Sequence, residues 1–435
     1  MKESGNKSLI VNPEIASLVF LSEGEASHFF GYYGISPWNQ DNSKLLAHKT
    51  RDKGPFIRQD NAVDLGWFNL DTAEFNKFEE TRACNWQQGS LLRWLPQSNE
   101  TVIFNRRDNN HFFARIMDLA SGKIIDFSRP VHAVAPNGKF GLSLNVERLY
   151  YTRRAYSYEY NYGKQWADSL VNEDGIFKVD FVTKDARLII STEELAQRDP
   201  IPTMVGAKHW LDHPLISPDS RKFLFYHRWM TNDGTFFTRL YTANVGGGGL
   251  KAYTDSGMYS HATWLSSDEF VVFARPLGRD ARIAVDQRDL KHHLITMALP
   301  VYRMMRHLRF VRGLRQRVLK DRYFVFSVRG GTGGTLLSDK LVADGHPSFN
   351  PCDSELFLTD TYPDSRRWQH LLLLDRRTDE LTSLAWFRAP NGFDSTTPDR
   401  CDLHPRWDNS GKFVCADVML KSGNRQMCVL RLLNE

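Results

Sequence analysis

One phrase recurs four times in the second half of the chain: a histidine, an apolar residue, a turn rich in Pro, Ser, Asn or Asp, then an apolar run. It reads HPLISPDSRKFLFYH from His213, HATWLSSDEFVVFAR from His261, HPSFNPCDSELFLTD from His346 and HPRWDNSGKFVCADV from His404. A turn followed by a run of strand composition is a structural unit. Self-similarity at roughly 40 to 60 residues predicts a β-propeller in which each repeat is one four-stranded blade. The expected fold is therefore all-β, a seven-bladed β-propeller forming a single domain over 1–435. Its blades are expected at about 26–72, 83–127, 128–192, 207–254, 257–338, 343–385 and 401–435. An N-terminal strand near Ser8–Val11 is expected to hide the last open edge.

Composition narrows the partners. No run approaches 18 apolar residues, so the sequence predicts no membrane-spanning helix. The first residues, MKESGNKSLIVNPE, lack the apolar stretch of a signal peptide, which leaves the compartment open: cytoplasmic, or secreted or periplasmic after loss of a leader. Five cysteines, Cys84, Cys352, Cys401, Cys415 and Cys428, are too few and too scattered for a disulfide scaffold. The net charge is +5, yet 301–322 alone carries eight Lys/Arg against one Asp, which leaves the rest slightly acidic. One basic segment argues against a nucleic-acid surface. Within a 297–322 insertion in blade five, apolar residues fall at helical spacing between arginines. Two readings stay open: peripheral contact with an anionic membrane, or a helix packed on the propeller flank with its arginines in solvent. A monomer is expected.

In a propeller the innermost strands start on the face that carries the turns between second and third strands. His213, His261, His346 and His404 open the innermost strands of blades four to seven and should ring the channel mouth. Asn105, Arg106, Arg107, Asn109 and His111 in NRRDNNH, His227 and Arg228 in FYHRW, Arg275 in FARP and His132 should share that face. Such a concave, cationic mouth suits an anionic ligand. Cys401 lies three residues before His404, and three imidazoles with a thiolate make a tetrahedral site. The expected ligands are His261, His346, Cys401 and His404. Zinc is the natural occupant, ahead of manganese or calcium. The competing reading is that these histidines only hydrogen-bond backbone groups in the channel.

Familiar catalytic signatures are missing from the sequence: no GxSxG elbow, phosphate loop, HExxH or dinucleotide fingerprint. The aromatic run YYTRRAYSYEYNYG at 150–163 reads equally as a sugar-stacking platform or as a loop wall.

HATW, followed one blade later by GHPSF and a strand ending LFLTD, resembles phrases of oligogalacturonate lyases, seven-bladed propellers with a histidine-bound metal at the channel mouth. His111 and His132, with FYHRW later, resemble more nearly the propeller-type ulvan lyases and their uncharacterised relatives. The similarity runs from about residue 26 onward on short phrases. It implies a lyase that uses two histidines from adjacent blades, an arginine and a tyrosine, beside a zinc site. Carried onto this chain, it assigns His111 and His132 to substrate contact and proton transfer, Arg228 to carboxylate neutralisation and Tyr226 to the remaining proton. Tyr156 and Tyr158 are alternative tyrosines and, with Asn105, Arg106, Asn109, His213, His227 and Arg275, expected substrate contacts.

The residue types suit β-elimination of a 4-linked uronate. The C6 carboxylate must be neutralised, the C5 proton removed and the departing C4 oxygen protonated. Arginine binds carboxylate bidentately, and histidine or tyrosine can carry the two protons. The expected function is a polysaccharide lyase acting on an anionic, uronate-containing polysaccharide or oligosaccharide. The rivals are a non-catalytic propeller that binds a surface polysaccharide or a partner protein, and a cytoplasmic, membrane-associated protein of glycan assembly.

Overall fold

The computed structural model describes residues 8–109, 111–160, 173–232, 234–253, 258–275, 321–390, 397–419 and 422–433. Its strands form seven antiparallel sheets arranged as a seven-bladed β-propeller. Blade one comprises Ser27–Phe29, Lys44–Thr50, Val63–Asn69 and Phe75–Thr81, and blade two Arg93–Trp94, Thr101–Asp108, His111–Asp118 and Ile124–Asp126. Blade three is Ala133–Val134, Phe140–Ser143, Gly175–Asp180 and Ala186–Ser191, and blade four Lys208–Ile216, Lys222–Met230, Phe236–Asn244 and Lys251–Ala252. Blade five uses Tyr259–Trp264, Glu269–Ala274, Arg322–Ser327 and Thr335–Leu336. Blade six uses Ser348–Phe349, Leu356–Asp360, Trp368–Asp375 and Glu380–Arg388, and blade seven Arg406–Trp407, Phe413–Met419 and Arg425–Leu432.

The ring closes on two N-terminal strands, not one. Leu9–Val11 adds a fifth strand to blade six, against Ala385–Phe387, and Ala16–Leu21 completes blade seven against Arg425–Leu432. The closing strand expected near Ser8–Val11 thus belongs to the neighbouring blade. A turn at Asn12, whose carbonyl accepts from Ile15 and Ala16, lets the chain step between blades, and the buried Ala16 and Phe20 mark the strand that faces the core.

The apolar residues are sorted by blade junction. Phe20, Phe68, Val102 and Val429 join blades seven, one and two; Ile103, Val131 and Val179 join two and three; Leu142, Ile190, Trp210 and Phe223 join three and four. Leu224, Tyr226 and Phe270 join four and five, Val271, Tyr323 and Phe357 join five and six, and Leu358, Leu384 and Val414 join six and seven. Alternation along each second strand supplies both neighbours: Phe223 and Phe225 face blade three while Leu224 and Tyr226 face blade five. Period-two patterning thus supplies an apolar core at each blade junction around the ring.

Blade three carries an excursion between Ser143 and Gly175. Asn145 caps the helix Val146–Thr152, its side chain accepting from Arg148 N, and Arg148 pairs with the buried Asp174. A 3-10 turn at Arg154–Tyr156 then brings the chain over the mouth. The basic segment 297–320 lies outside the described residues, and among those residues no helix is long and apolar enough to cross a membrane.

Candidate functional site

The recurring histidines meet at one mouth. Two of them, His213 and His404, hold left-handed backbone (φ 53° and 44°). His404 precedes the inner strand Arg406–Trp407, whereas His213, expected to open its strand, lies inside Lys208–Ile216 at a bulge between Asp212 and Leu215. The ring centroid of His346 lies 4.3 Å from that of His261 and 4.2 Å from that of His404. Tyr33 packs on all three rings, and Tyr32, 5.0 Å from Tyr33, lies against His132 and His213. Both tyrosines are placed by blade one's inner loop. Asp417 of blade seven accepts from Phe30 N and Gly31 N, and Arg406 donates to the Gly31 and Tyr32 carbonyls. Gly31 must be glycine there: φ is 104°, and a Cβ would fall 2.6 Å from Gly89 N.

Each imidazole on this side has a fixed orientation. His261 Nδ1 lies 3.0 Å from Asp344 Oδ1, His346 Nδ1 lies 2.8 Å from Asp360 Oδ1, and His404 Nδ1 donates to the Gly31 carbonyl. Donation from Nδ1 leaves each Nε2 with its lone pair, the tautomer a metal ligand needs. Among the described residues His346 Nε2 is buried without a hydrogen-bond partner and neither Asp402 oxygen accepts a hydrogen bond, although Arg400 Nε sits 2.9 Å from Asp402 Oδ2 as a charge partner. Ligand atoms of His346, Asp402 and His404 lie within 4.8 Å of one another. These orphaned buried atoms fit a divalent cation, with His261 adjacent. Burial pulls the His346 imidazole down, but Asp360, Asp402 and Asp344 together carry it above its ordinary value. Carboxylates that hold a proton there favour a metal ion in its place. Burial holds His404 well below its ordinary value, with His346 and Arg406 adding to the effect.

Cys401 does not join this group. Its thiol is fully buried, 4.0 Å from the Asp402 carbonyl, and its sulfur is not among the ligand atoms that gather with His346, Asp402 and His404. Asp402, one residue on, occupies the place expected of it.

The other half of the mouth is basic. Asp212 sits between His213 Nδ1 (2.9 Å) and Arg228 Nη1 (3.2 Å) and receives the indole N–H of Trp210. Burial raises the Asp212 carboxyl, but Arg228 and His213 hold it well below the carboxylate range. Burial brings His213 down to about 4, so its imidazole is neutral near pH 7. Arg153 and Arg228 both reach toward the Phe236 ring (5.8 and 5.7 Å), and Arg228 helps burial depress Arg153. Arg228 Nε makes no hydrogen bond among the described residues. Tyr156 lies 5.3 Å from His213, with Arg153 4.6 Å over its ring, and its hydroxyl accepts from Arg400 Nη2 at 2.8 Å. Blade three's excursion and the segment before blade seven thus meet across the mouth.

Several expected contacts have other partners. His111 is exposed at the start of blade two's third strand and stacks on Phe113. Arg106 pairs with Glu79 at 2.7 Å, and Asn109 takes the left-handed turn position (φ 48°). Asn105 is a buried clamp: Oδ1 accepts from Val131 N, and Nδ2 donates to Val131 O and Tyr158 Oη. Tyr158 is therefore loop wall, as is Tyr160 against Phe112. His227 points away from the mouth to His209, 2.9 Å between ring nitrogens. Arg275 is held bidentately by Asp321 at 2.8 and 3.0 Å. Tyr226 is buried, donates to the Ser260 carbonyl, and is raised well above its ordinary value by burial. His132 does reach the mouth, buried beside Tyr32, and burial lowers it to about 3.

Sequence reasoning passed over the carboxylates. Asp212-His213, Asp344-Gly-His346 and Asp402-Leu-His404 repeat an acid one or two residues before the histidine, and LFLTD ends on Asp360. It also missed Tyr32 and Tyr33, which sit in a blade that lacks the repeated histidine.

No protein-family model matches the sequence, and comparison with curated protein sequences finds no match. Among solved structures, an oligogalacturonate lyase from Vibrio parahaemolyticus is similar over 98% of both chains, with a TM-score of 0.60 and 12% identity. The β-propeller domain of the Trilobed protease from Pyrococcus furiosus is similar over 95% of this chain and 99% of that chain, with a TM-score of 0.50 and 7% identity. Likeness at such identities is likeness of fold, and the fold that both share with this chain is the β-propeller.

Proposed function

We propose that the protein is a β-propeller polysaccharide lyase that cleaves a uronate-containing glycan by β-elimination. The observation that carries this reading is the convergence of Arg153 and Arg228, one with an unsatisfied Nε, on a neutral histidine held by a carboxylate. Guanidiniums that repel one another in the free protein gain from a substrate carboxylate between them. Neutralising the C6 carboxylate acidifies the C5 proton. His213, with Asp212 Oδ1 2.9 Å from its Nδ1, offers a neutral Nε2 to take that proton. The C5–H electron pair forms the C4=C5 bond as the C4–O bond breaks. Tyr156, whose oxygen accepts from Arg400, keeps its own proton free to pass to the departing oxygen. The base thus moves from His111 and His132 to His213, and the tyrosine from Tyr226 to Tyr156; the sequence likeness to ulvan lyases is correspondingly looser at these positions.

His346, His404 and Asp402, with His261 beside them, would hold a divalent cation, zinc in the first instance. When bound it supplies a positive charge to the acidic half of the mouth. The test is appearance of the ultraviolet-absorbing unsaturated uronate when the protein meets polygalacturonate, ulvan, glucuronan and glycosaminoglycans. Activity on one of them, lowered about a hundredfold or more in His213→Ala, supports the reading; no product from any uronate polymer sinks it.

Burial of the mouth favours a second reading, a propeller that binds an anionic glycan without cleaving it: all five histidines there are at most 8% exposed. Saturable binding with no product identifies that case. Membrane contact through 301–322 rests on the sequence alone, and flotation with anionic liposomes tests it.

A further inference from the structure

The channel has a second end. Where the innermost strands of blades one, two and three finish, a cavity of about 210 Å³ is lined by Trp38, Gln40, Arg93, Trp94, Gln97 and Asn409, among others. Its distinguishing feature is Arg93. This half-buried guanidinium spans blades two and three, donating from Nη2 to the His132 carbonyl at 2.6 Å and from Nε to the Leu91 carbonyl at 3.3 Å. Both partners are neutral, no acidic side chain lines the cavity, and the Nη1 edge has no bond among the described residues. A half-buried guanidinium whose only partners are neutral carbonyls keeps one edge free to take a carboxylate or another anion. Burial lowers this arginine to about 10, and only the phenols of Tyr158 and Tyr32 oppose the shift.

The rest of the lining narrows the anion. Gln40, Gln97 and Asn409 offer amide donors and acceptors, and Trp38 and Trp94 give an apolar wall. Amides beside an indole suit a ring with hydroxyl groups, and the volume lies below the ~300 Å³ at which drug-sized sites begin. We propose that this cavity binds a monosaccharide-sized hydroxy acid, its carboxylate on Arg93 and its hydroxyls on the amide rim. Arg93 adjoins the mouth through the His132 carbonyl, but none of the mouth histidines lines this cavity, and the proposal stands whether or not the mouth is catalytic.

Intrinsic tryptophan fluorescence of the full chain, titrated with galacturonate, tests it, because Trp38 and Trp94 line the cavity. Methyl galactoside keeps the ring without the carboxylate; acetate and inorganic phosphate keep the anion without the ring. The expected result is saturable quenching by galacturonate, at least tenfold tighter than by any of the three. Gln97→Glu, at an exposed left-handed turn position (φ 61°), places a competing carboxylate at the rim and should weaken galacturonate at least tenfold with an unchanged melting temperature. Equal response to methyl galactoside, or phosphate or acetate binding as tightly as galacturonate, overturns the hydroxy-acid assignment. Binding lost in His404→Ala yet intact in Gln97→Glu would put the ligand at the mouth and overturn the second site.

Discussion

A ring of neutral, buried histidines should make this propeller sensitive to mild acid. Burial lowers His48 and His132 to about 3 and His213 to about 4, whereas an unfolded chain protonates them near the ordinary 6.5. The sign follows from that order: below pH 6.5 the unfolded state takes up protons that the folded state refuses, so stability falls as pH falls. At pH 5 each of the three has lost about 1.5 pH units of the difference, or about 2 kcal/mol at 1.36 kcal/mol per unit. Together they remove about 6 kcal/mol, a large share of the ~5–15 kcal/mol that holds a typical protein folded. His404 and His227, also lowered by burial, act in the same direction. His346 opposes them: raised by its carboxylates, it adds stability below its ordinary value and loses it as pH rises through the raised one. Asp212 acts in a separate window, since a depressed carboxyl stabilises above the ordinary carboxylate range and gives that up only below about pH 4. Urea unfolding at fixed ionic strength, compared between pH 7 and pH 5, reads the effect. His132→Leu removes one titrating group together with an unpartnered Nε2 and should shrink the loss by about 2 kcal/mol. A stability within about 1 kcal/mol at the two pH values, or an unchanged loss in His132→Leu, refutes the reasoning.

Three further outcomes are expected. Asn105→Leu strips hydrogen bonds from Val131 N, Val131 O and Tyr158 Oη and should lower urea-derived stability by about 3 kcal/mol, roughly one per bond. Asp402→Asn should weaken retained zinc at least tenfold while Cys401→Ser leaves it unchanged, as elemental analysis after dialysis would show; equal loss from both variants contradicts the ligand set. Gly345→Ala would put a Cβ 1.9 Å from the Asp360 carbonyl, so the backbone beside His346 must shift; a lower melting temperature and loss of zinc are expected, and a wild-type melt contradicts the close packing.

The fold was legible because period two leaves a strong trace. HPSFNPCDSELFLTD announces a turn and a strand with one apolar face for each neighbouring blade, and the same trace recurs around the ring. The closing strand was harder, since Leu9–Val11 and Ala16–Leu21 are both short and apolar, and only pairing with Glu380–Arg388 or Arg425–Leu432 tells them apart. At the mouth, the histidines were visible as a register, and four of them converge with His132. NRRDNNH misled because it has the composition of a binding loop. Its polar atoms are satisfied by Glu79, Val131 and Tyr158, partners distant in sequence that no local pattern predicts. For Cys401, sequence spacing gave nearness to His404 without direction; the carboxylate of Asp402, one residue on, is the group that gathers with His346 and His404.

The repeated histidine does two different jobs because the acid beside it differs. In blades five to seven, Asp344, Asp360 and Asp402 gather on one side, while Arg400 is paired with Asp402 and Arg406 with Asp417, so the lone pairs face a cation-seeking pocket. In blade four the single carboxylate, Asp212, is shared with Arg228, and Arg153 adds a further positive charge, so His213 faces an anion-seeking one. Tyr156 and Arg400 join the halves by one hydrogen bond. A ligand that carries both a carboxylate and neighbouring hydroxyls can bridge such a boundary, its anion on the arginines and its oxygens toward the histidines. That polarity, more than the histidine count, is the physical reason to test uronate glycans first.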